Sequence, residues 1–171
     1  MIHRPELVQR AHEYCRIHAL TIRRQLGFGV HGIVFAAESE SDSGRLAVKV
    51  HEHEADYRRE RDVYLRLQEH EVKTIRGCAV PELLRYDDAL WVIEMTVVTR
   101  PYVLDFAGAY LEFGPEFSEE VLADWHAEKQ EQFDRHWPEV QAILRELEGR
   151  YGIFLIDVTA NNIALEGGAV P

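Results

Sequence analysis

Three glycines, a lysine and a glutamate are spaced in this chain as a phosphate-binding site would need them. Gly27, Gly29 and Gly32 lie within Leu26-Gly27-Phe28-Gly29-Val30-His31-Gly32-Ile33-Val34-Phe35, and Ala47-Val48-Lys49 follows. Glycines at this spacing let two strands turn tightly and bring main-chain N–H groups toward anionic oxygens that side chains would crowd out. A lysine from the next strand adds a full positive charge there, which makes ATP the first ligand to consider. A bare G-x-G-x-x-G is unspecific, because the dinucleotide-binding version lies between a strand and a helix. Here Ile33-Val34-Phe35-Ala36-Ala37 continues as a β-branched and aromatic run, Ser39 to Gly44 forms a polar turn, and Arg45 to Val50 reads as a further strand. For the segment alone, an ordinary glycine-containing hairpin is the alternative.

A helix is expected over His53–His70, with Tyr57, Val63, Tyr64 and Leu67 on one side. Glu60 shares that side at i, i+3, i+4 and i+7, so its carboxylate turns inward and needs a cation, for which Lys49 is the obvious choice. Without Lys49, Glu60 would read equally well as one more solvated charge. Val80 to Tyr86, the turn Asp87-Asp88 and Ala89 to Met95 form a hairpin whose second strand is apolar on both faces and therefore buried. Near the end come Gly152-Ile153-Phe154-Leu155-Ile156-Asp157-Val158-Thr159-Ala160-Asn161-Asn162-Ile163-Ala164-Leu165.

Taken in order, these four segments resemble the protein-kinase-like superfamily over roughly Gln25 to Leu165. The resemblance implies an α+β, protein-kinase-like fold: a five-stranded antiparallel N-lobe with one inserted helix (the family's αC), plus an abbreviated helical C-lobe. It implies ATP and Mg²⁺ as cofactors. Leu26, Gly27, Gly29, Gly32, Val34, Ala47 and Lys49 would bind nucleotide, with Glu60 positioning Lys49. Ile93 would stand at the back of the adenine pocket, and main-chain groups of Glu94, Met95 and Thr96 would hydrogen-bond the base. Asp157 would orient the attacking hydroxyl as the base, and Asn162 would bind magnesium.

Departures from the family pattern qualify this. Leu155-Ile156 replaces the His-Arg before the catalytic aspartate, so phosphorylation of an activation loop has no arginine to read it. Thr159 stands where serine/threonine kinases carry a lysine, removing a positive charge from the transferring phosphate. The Asp-Phe-Gly metal-binding segment would fall about a dozen residues beyond Asn162, past Pro171. Truncation, a natural pseudokinase, or a metal ligand from another acidic residue or chain would each explain that gap, the first two ranking above the third. Gly167-Gly168 would make a hairpin turn whose returning strand is cut short. The leading expectation is phosphoryl transfer from ATP to a hydroxyl on a protein or small molecule; the alternative is a catalytically inactive nucleotide- or partner-binding module.

The rest of the chain reads as scaffold. Residues 1–20 hold a helix with a stripe of Leu7, Ala11, Tyr14, Cys15 and His18, which packs on the small lobe or equally binds a partner. Residues 21–96 form the N-lobe and 97–171 the shortened C-lobe. Thr99 to Phe117 reads as hinge exit and a short lobe-joining helix. A helix over Ser118–His136, N-capped by Ser118 with Glu119 and Glu120 in its first turn, is followed by a second from Pro138 through Leu147 that ends near Gly149 or Gly152.

A hydrophobic content of 46% with 29% charged residues suits a soluble globular chain, and the formal charge of -11 repels nucleic-acid phosphates. No apolar run approaches the ~20 residues of a membrane span. These features point to no nucleic-acid or membrane partner and to a cytoplasmic location with Cys15 and Cys78 reduced. His51-Glu52-His53-Glu54 and the pair His126 and His136 lack the i, i+4 convergence of a zinc helix and read as solvated. His31, at the tip of the glycine-rich turn, could touch a phosphate.

Overall fold

The computed structural model describes residues 4–39, 45–98, 103–160 and 162–165. The polar turn at 40–44, the start of the expected hinge exit at 99–102 and the Gly167-Gly168 turn lie outside them. Helix α1 (Pro5–Ile17) buries Leu7, Ala11, Tyr14 and Cys15, the stripe its sequence periodicity presents. Pro5 suits the first turn, where its missing N–H costs nothing. Strands β1 (Leu20–Gly29), β2 (Gly32–Ser39) and β3 (Arg45–His51) then run antiparallel, with β1 and β2 joined by the two-residue turn Val30-His31.

Helix α2 (Glu54–Glu69) buries Tyr57, Glu60, Val63, Tyr64 and Leu67. After the short strands β4 (Thr74–Ile75) and β5 (Cys78–Ala79) come β6 (Leu83–Asp87) and β7 (Val92–Thr96). Strand β7 inserts beside β3, giving a five-stranded antiparallel sheet of order β1-β2-β3-β7-β6. The architecture is α+β. Helix α1 covers one face of the sheet, over Ile33, Phe35, Val48, Val50 and Val92. Helix α2 and the C-terminal half share a second core with Ala47, Ile93 and Met95 on the other face.

Residues 103–117 differ from expectation. They hold two short strands, β8 (Val103–Leu104) and β9 (Tyr110–Leu111), rather than a lobe-joining helix. The intervening turn passes through Gly108 at φ +72, a conformation a helix cannot continue through, and Gly114 and Pro115 oppose helix beyond it. Helix α3 (Glu119–Phe133) starts at the expected cap, Ser118 Oγ accepting from the Val121 N–H at 3.3 Å. It ends before the expected His136, giving way to a 3₁₀ turn (Asp134–His136) that leads into α4 (Trp137–Tyr151). Helix α4 ends on Gly152 in the left-handed region at φ +65.

Strands β10 (Ile153–Phe154) and β11 (Ile163–Ala164) flank the segment carrying Asp157. Strand β10 pairs with β9, and β11 with β8, both antiparallel. The turn between β8 and β9 is therefore held against the segment between β10 and β11, although α3 and α4 separate them along the chain. Arg59 and Arg66 of α2 brace this half, donating to the Tyr110 hydroxyl at 2.8 Å and the Tyr151 carbonyl at 2.9 Å.

Candidate functional site

Strand register decides which side chains share a face with Lys49. Val34, Lys49 and Ile93 lie side by side across β2, β3 and β7, and Ala36, Ala47 and Met95 form the next row on the same face. Glu94 is out of step with them. Its buried carboxylate faces α1, accepting from the Tyr14 hydroxyl at 2.8 Å and from Arg85 at 2.9 and 3.0 Å. The Thr96 N–H donates to the Glu82 carbonyl at 3.0 Å and the Val97 N–H to the Arg45 carbonyl at 3.4 Å, so the sheet already uses these donors. A base bound by main-chain donors of this strand would have to meet them beyond Val97.

Facing Lys49 is the inward carboxylate of α2. Lys49 Nζ lies 2.7 Å from Glu60 Oε1, with both side chains almost wholly buried. His51, two residues along β3 and so on the same face, brings Nε2 to 2.9 Å from Glu60 Oε2. Burial pushes the Glu60 carboxyl up, but the Lys49 charge and the His51 hydrogen bond outweigh it and bring it down to about 2. Burial likewise pulls Lys49 down, yet the carboxylates of Asp105 and Glu60 leave it raised.

Asp105 opens the turn between β8 and β9, with Oδ1 3.8 Å from Lys49 Nζ. The same oxygen accepts the Ala107 N–H at 3.0 Å, which leaves Oδ2 for a ligand. The Asp105 N–H donates to the Asn162 carbonyl at 2.8 Å. Asn162 Nδ2 in turn donates to both the main-chain oxygen and Oδ2 of Asp157, each at 2.8 Å. Both amide hydrogens are thereby engaged, and Oδ1 is left as the lone-pair donor. Asp157, Asn162, Asp105, Lys49, Glu60 and His51 thus form one continuous chain of polar contacts from the β10–β11 segment to the sheet.

The glycines of the turn above divide by environment. A Cβ on Gly32, at φ +140, would stand 2.0 Å from the Val50 carbonyl oxygen, whereas one on Gly27 or Gly29 would meet nothing within 4 Å. Gly32 is therefore demanded by the sheet, and the other two line open space. Leu26, where the β1–β2 register shifts, is exposed.

No protein-family model matches the chain, and no curated protein matches it. Among solved structures, the crystal structure of the M. tuberculosis PknI kinase domain is similar over 47% of this chain and 33% of that domain, at 24% identity and a TM-score of 0.32. The chain thus spans about a third of that kinase domain, and the likeness is too weak for the reading of the site to rest on it.

Two members of the polar chain escape sequence reading. His51 is wholly buried rather than solvated; its i, i+2 spacing from Lys49 on a strand was the available signal, since alternation puts both on one face. Asp105 lies in Val103-Leu104-Asp105-Phe106-Ala107-Gly108, upstream of the segment that carries Asp157 and Asn162, whereas the family pattern places its aspartate downstream of the asparagine. Phe106 packs edge-on against Tyr64 of α2, with ring centroids 5.6 Å apart.

Among the described residues no three His, Cys, Asp or Glu side chains cluster as a metal cage. Asp105 Oδ2 and Asn162 Oδ1 are nonetheless hard oxygen donors, of the kind magnesium takes one or two at a time when phosphates and water complete its shell.

Proposed function

We propose that this cleft binds ATP with Mg²⁺ and transfers the terminal phosphoryl group to a hydroxyl acceptor, the five-stranded sheet acting as an N-lobe and the segment from β8 to β11 as a reduced C-lobe. The observation that carries the reading is the unbroken polar chain from Asp157 through Asn162 and Asp105 to Lys49 and Glu60. It joins residues of four different segments, the β10–β11 segment, the β8–β9 turn, β3 and α2, a costly arrangement for a purely structural core, since each buried polar group must find a partner.

In this reading Gly27 and Gly29 leave room for phosphates beneath the β1–β2 turn, and Lys49, held by Glu60 and His51, contacts them as a fixed cation. Asp105 and Asn162 would hold the magnesium ion, which would supply positive charge against the phosphates. Asp157, its carboxylate oriented by the Asn162 amide, accepts the proton of the attacking hydroxyl. The acceptor oxygen bonds to the terminal phosphorus, the bond from that phosphorus to the β–γ bridging oxygen breaks, and ADP departs with the electron pair. Asp105 favours this reading over an inactive module, because its Oδ2 offers a carboxylate ligand for the metal.

The test is a pair of measurements on the full chain. Mg·ATP raises the melting temperature of the wild-type protein, and radiolabelled ATP transfers its terminal phosphate to acceptor hydroxyls or to water; Asp157→Asn abolishes transfer and retains the stabilisation. Stabilisation without transfer in the wild type would favour a binding module. No stabilisation by nucleotide would overturn the reading.

A further inference from the structure

Of the four helices, α3 is the least covered. It buries only Lys129 and Phe133, both toward its C-terminal end, although a helix of this length draws most of its stability from packing an apolar face. Its uncovered part still carries such a face. Val121 is 50% and Leu122 41% exposed, and just before them Phe113 is 82% and Phe117 48% exposed. Exposed apolar residues scattered singly are ordinary, but four between Phe113 and Leu122 make a patch. Phe117, Val121 and Leu122 line a groove of about 480 Å³ with Trp125, Leu144 and Ile156, between α3, α4 and the end of β10. That volume alone would suit a small ligand. Phe113 lies outside it, however, so the apolar surface runs on beyond the groove, and a chain segment laid along both covers what a small molecule would leave exposed.

Charge decides what kind of segment fits. Beyond residue 102 the chain carries 14 of its 30 Asp and Glu residues but only four of its 19 Lys and Arg, so this half holds nearly all of the net charge. Glu148 lines the groove, Glu116 lies between the lining residues Pro115 and Phe117, and Glu119 stands one turn before Leu122 on the same side of α3. All three are exposed, and none has an ion-pair partner among the described residues. Arg145 is the one Lys or Arg on the lining against them. A second copy of the chain would bring its own acidic half to the contact, and like charge opposes that pairing. We infer that the groove between α3 and α4 docks a basic amphipathic helix of a partner protein. Apolar side chains at i, i+3, i+4 and i+7 of that helix enter the groove, and its Lys or Arg side chains meet Glu116, Glu119 and Glu148. The apolar contact holds the partner, and the exposed charges select its sign and steer its approach.

Fluorescence anisotropy on the full chain tests this with three labelled peptides about five helical turns long: an amphipathic Leu/Lys helix, the same composition scrambled to remove the apolar face, and an amphipathic Leu/Glu helix. The Leu/Lys helix binds, more weakly as salt is raised, and the other two bind at least about tenfold more weakly. Leu122→Asp, at an exposed position, weakens the Leu/Lys helix at least about tenfold. Glu116→Lys combined with Glu148→Lys, which touches no buried side chain, weakens it at least about threefold at low salt. An unchanged melting temperature verifies the folding of each variant. No binding of the Leu/Lys helix, equal binding of the scrambled or acidic peptide, or binding indifferent to either variant overturns the docking site. So does a wild-type dimer in sedimentation velocity that Leu122→Asp dissolves, since a second copy would then fill the groove. None of these readouts involves nucleotide, so each leaves the proposed phosphoryl transfer where it stands.

Discussion

Replacing Lys49 by methionine keeps the length and apolar stem of the side chain and removes only its charge. Glu60 would then be a buried carboxylate with its nearest cation gone. At 2.7 Å, the attraction between the two charges is about 6 kcal/mol at an effective dielectric constant near 20. Much of that is offset by the desolvation that burial already exacted. Breaking a buried pair by removing one partner costs about 3–5 kcal/mol. His51 remains 2.9 Å from the other carboxylate oxygen, which places the expected loss at the lower end, about 3 kcal/mol. For a chain of this size that is a fall of roughly 6–12 °C in melting temperature, read by circular dichroism with urea titration in parallel. Lys49→Met combined with Glu60→Gln removes the stranded charge and leaves His51 an amide oxygen to meet, so the double variant recovers at least about 1 kcal/mol over Lys49→Met alone. A single variant within about 0.5 kcal/mol of wild type, or a double variant no more stable than the single, would show that Glu60 is not held by Lys49.

Acid should act through the same pair. The folded Glu60 carboxyl lies at about 2 against an ordinary 4.5, so its contribution is complete above about pH 4.5 and is lost as pH falls from there toward 2; the urea midpoints of wild type and Glu60→Gln therefore converge as pH falls over that window. Gly32→Ala destabilises by at least about 2 kcal/mol, since its Cβ overlaps the Val50 carbonyl, whereas Gly27→Ala and Gly29→Ala stay within about 1 kcal/mol of wild type and weaken Mg·ATP in calorimetry. Tyr14→Phe removes a 2.8 Å bond to the Glu94 carboxylate on the opposite face of the sheet, costing about 1.5–3 kcal/mol in urea unfolding with no change in nucleotide affinity. One lysine is set against the carboxylates of Glu60, Asp105 and Asp157, so ATP in EDTA binds at least about tenfold more weakly than Mg·ATP.

Where periodicity and burial speak together, the sequence is legible. The α1 stripe, the inward Glu60 of α2 and the Ser118 cap can each be read from neighbouring residues, because each depends on contacts within one turn or one strand. The individual strands are legible as apolar runs between turns, whereas their assembly into one five-stranded antiparallel sheet is what the family resemblance implies. Helix termini shift by a few residues, as at Phe133 and Tyr151, where caps and the 3₁₀ turn compete for the same carbonyls. Residues 103–117 are misread because two-residue strands carry no periodicity at all; Val103-Leu104 and Tyr110-Leu111 become strands only by meeting β11 and β10. His51 is misread for a different reason. A histidine at a strand end is usually solvated, and only the packing of α2, which sets Glu60 and Tyr57 against its ring, buries this one.

Asp105 shows why spacing along a chain is a poor guide to a site made by sheet pairing. A motif read in order assumes that the metal carboxylate follows the asparagine, yet the order of β8 and β11 along the chain leaves their hydrogen bonds unchanged. The β8–β9 turn is held from three sides: by the β11–β8 pair, by the β10–β9 pair, and by Phe106 seated against Tyr64 of α2. These contacts position the Asp105 carboxylate beside Lys49, and they tie it to α2 as well. Glu60 and Tyr64 lie one helical turn apart on the same face of α2. A rotation of that helix would therefore withdraw the Lys49 partner and the Phe106 seat together, so Lys49 and Asp105 are set by one element rather than two.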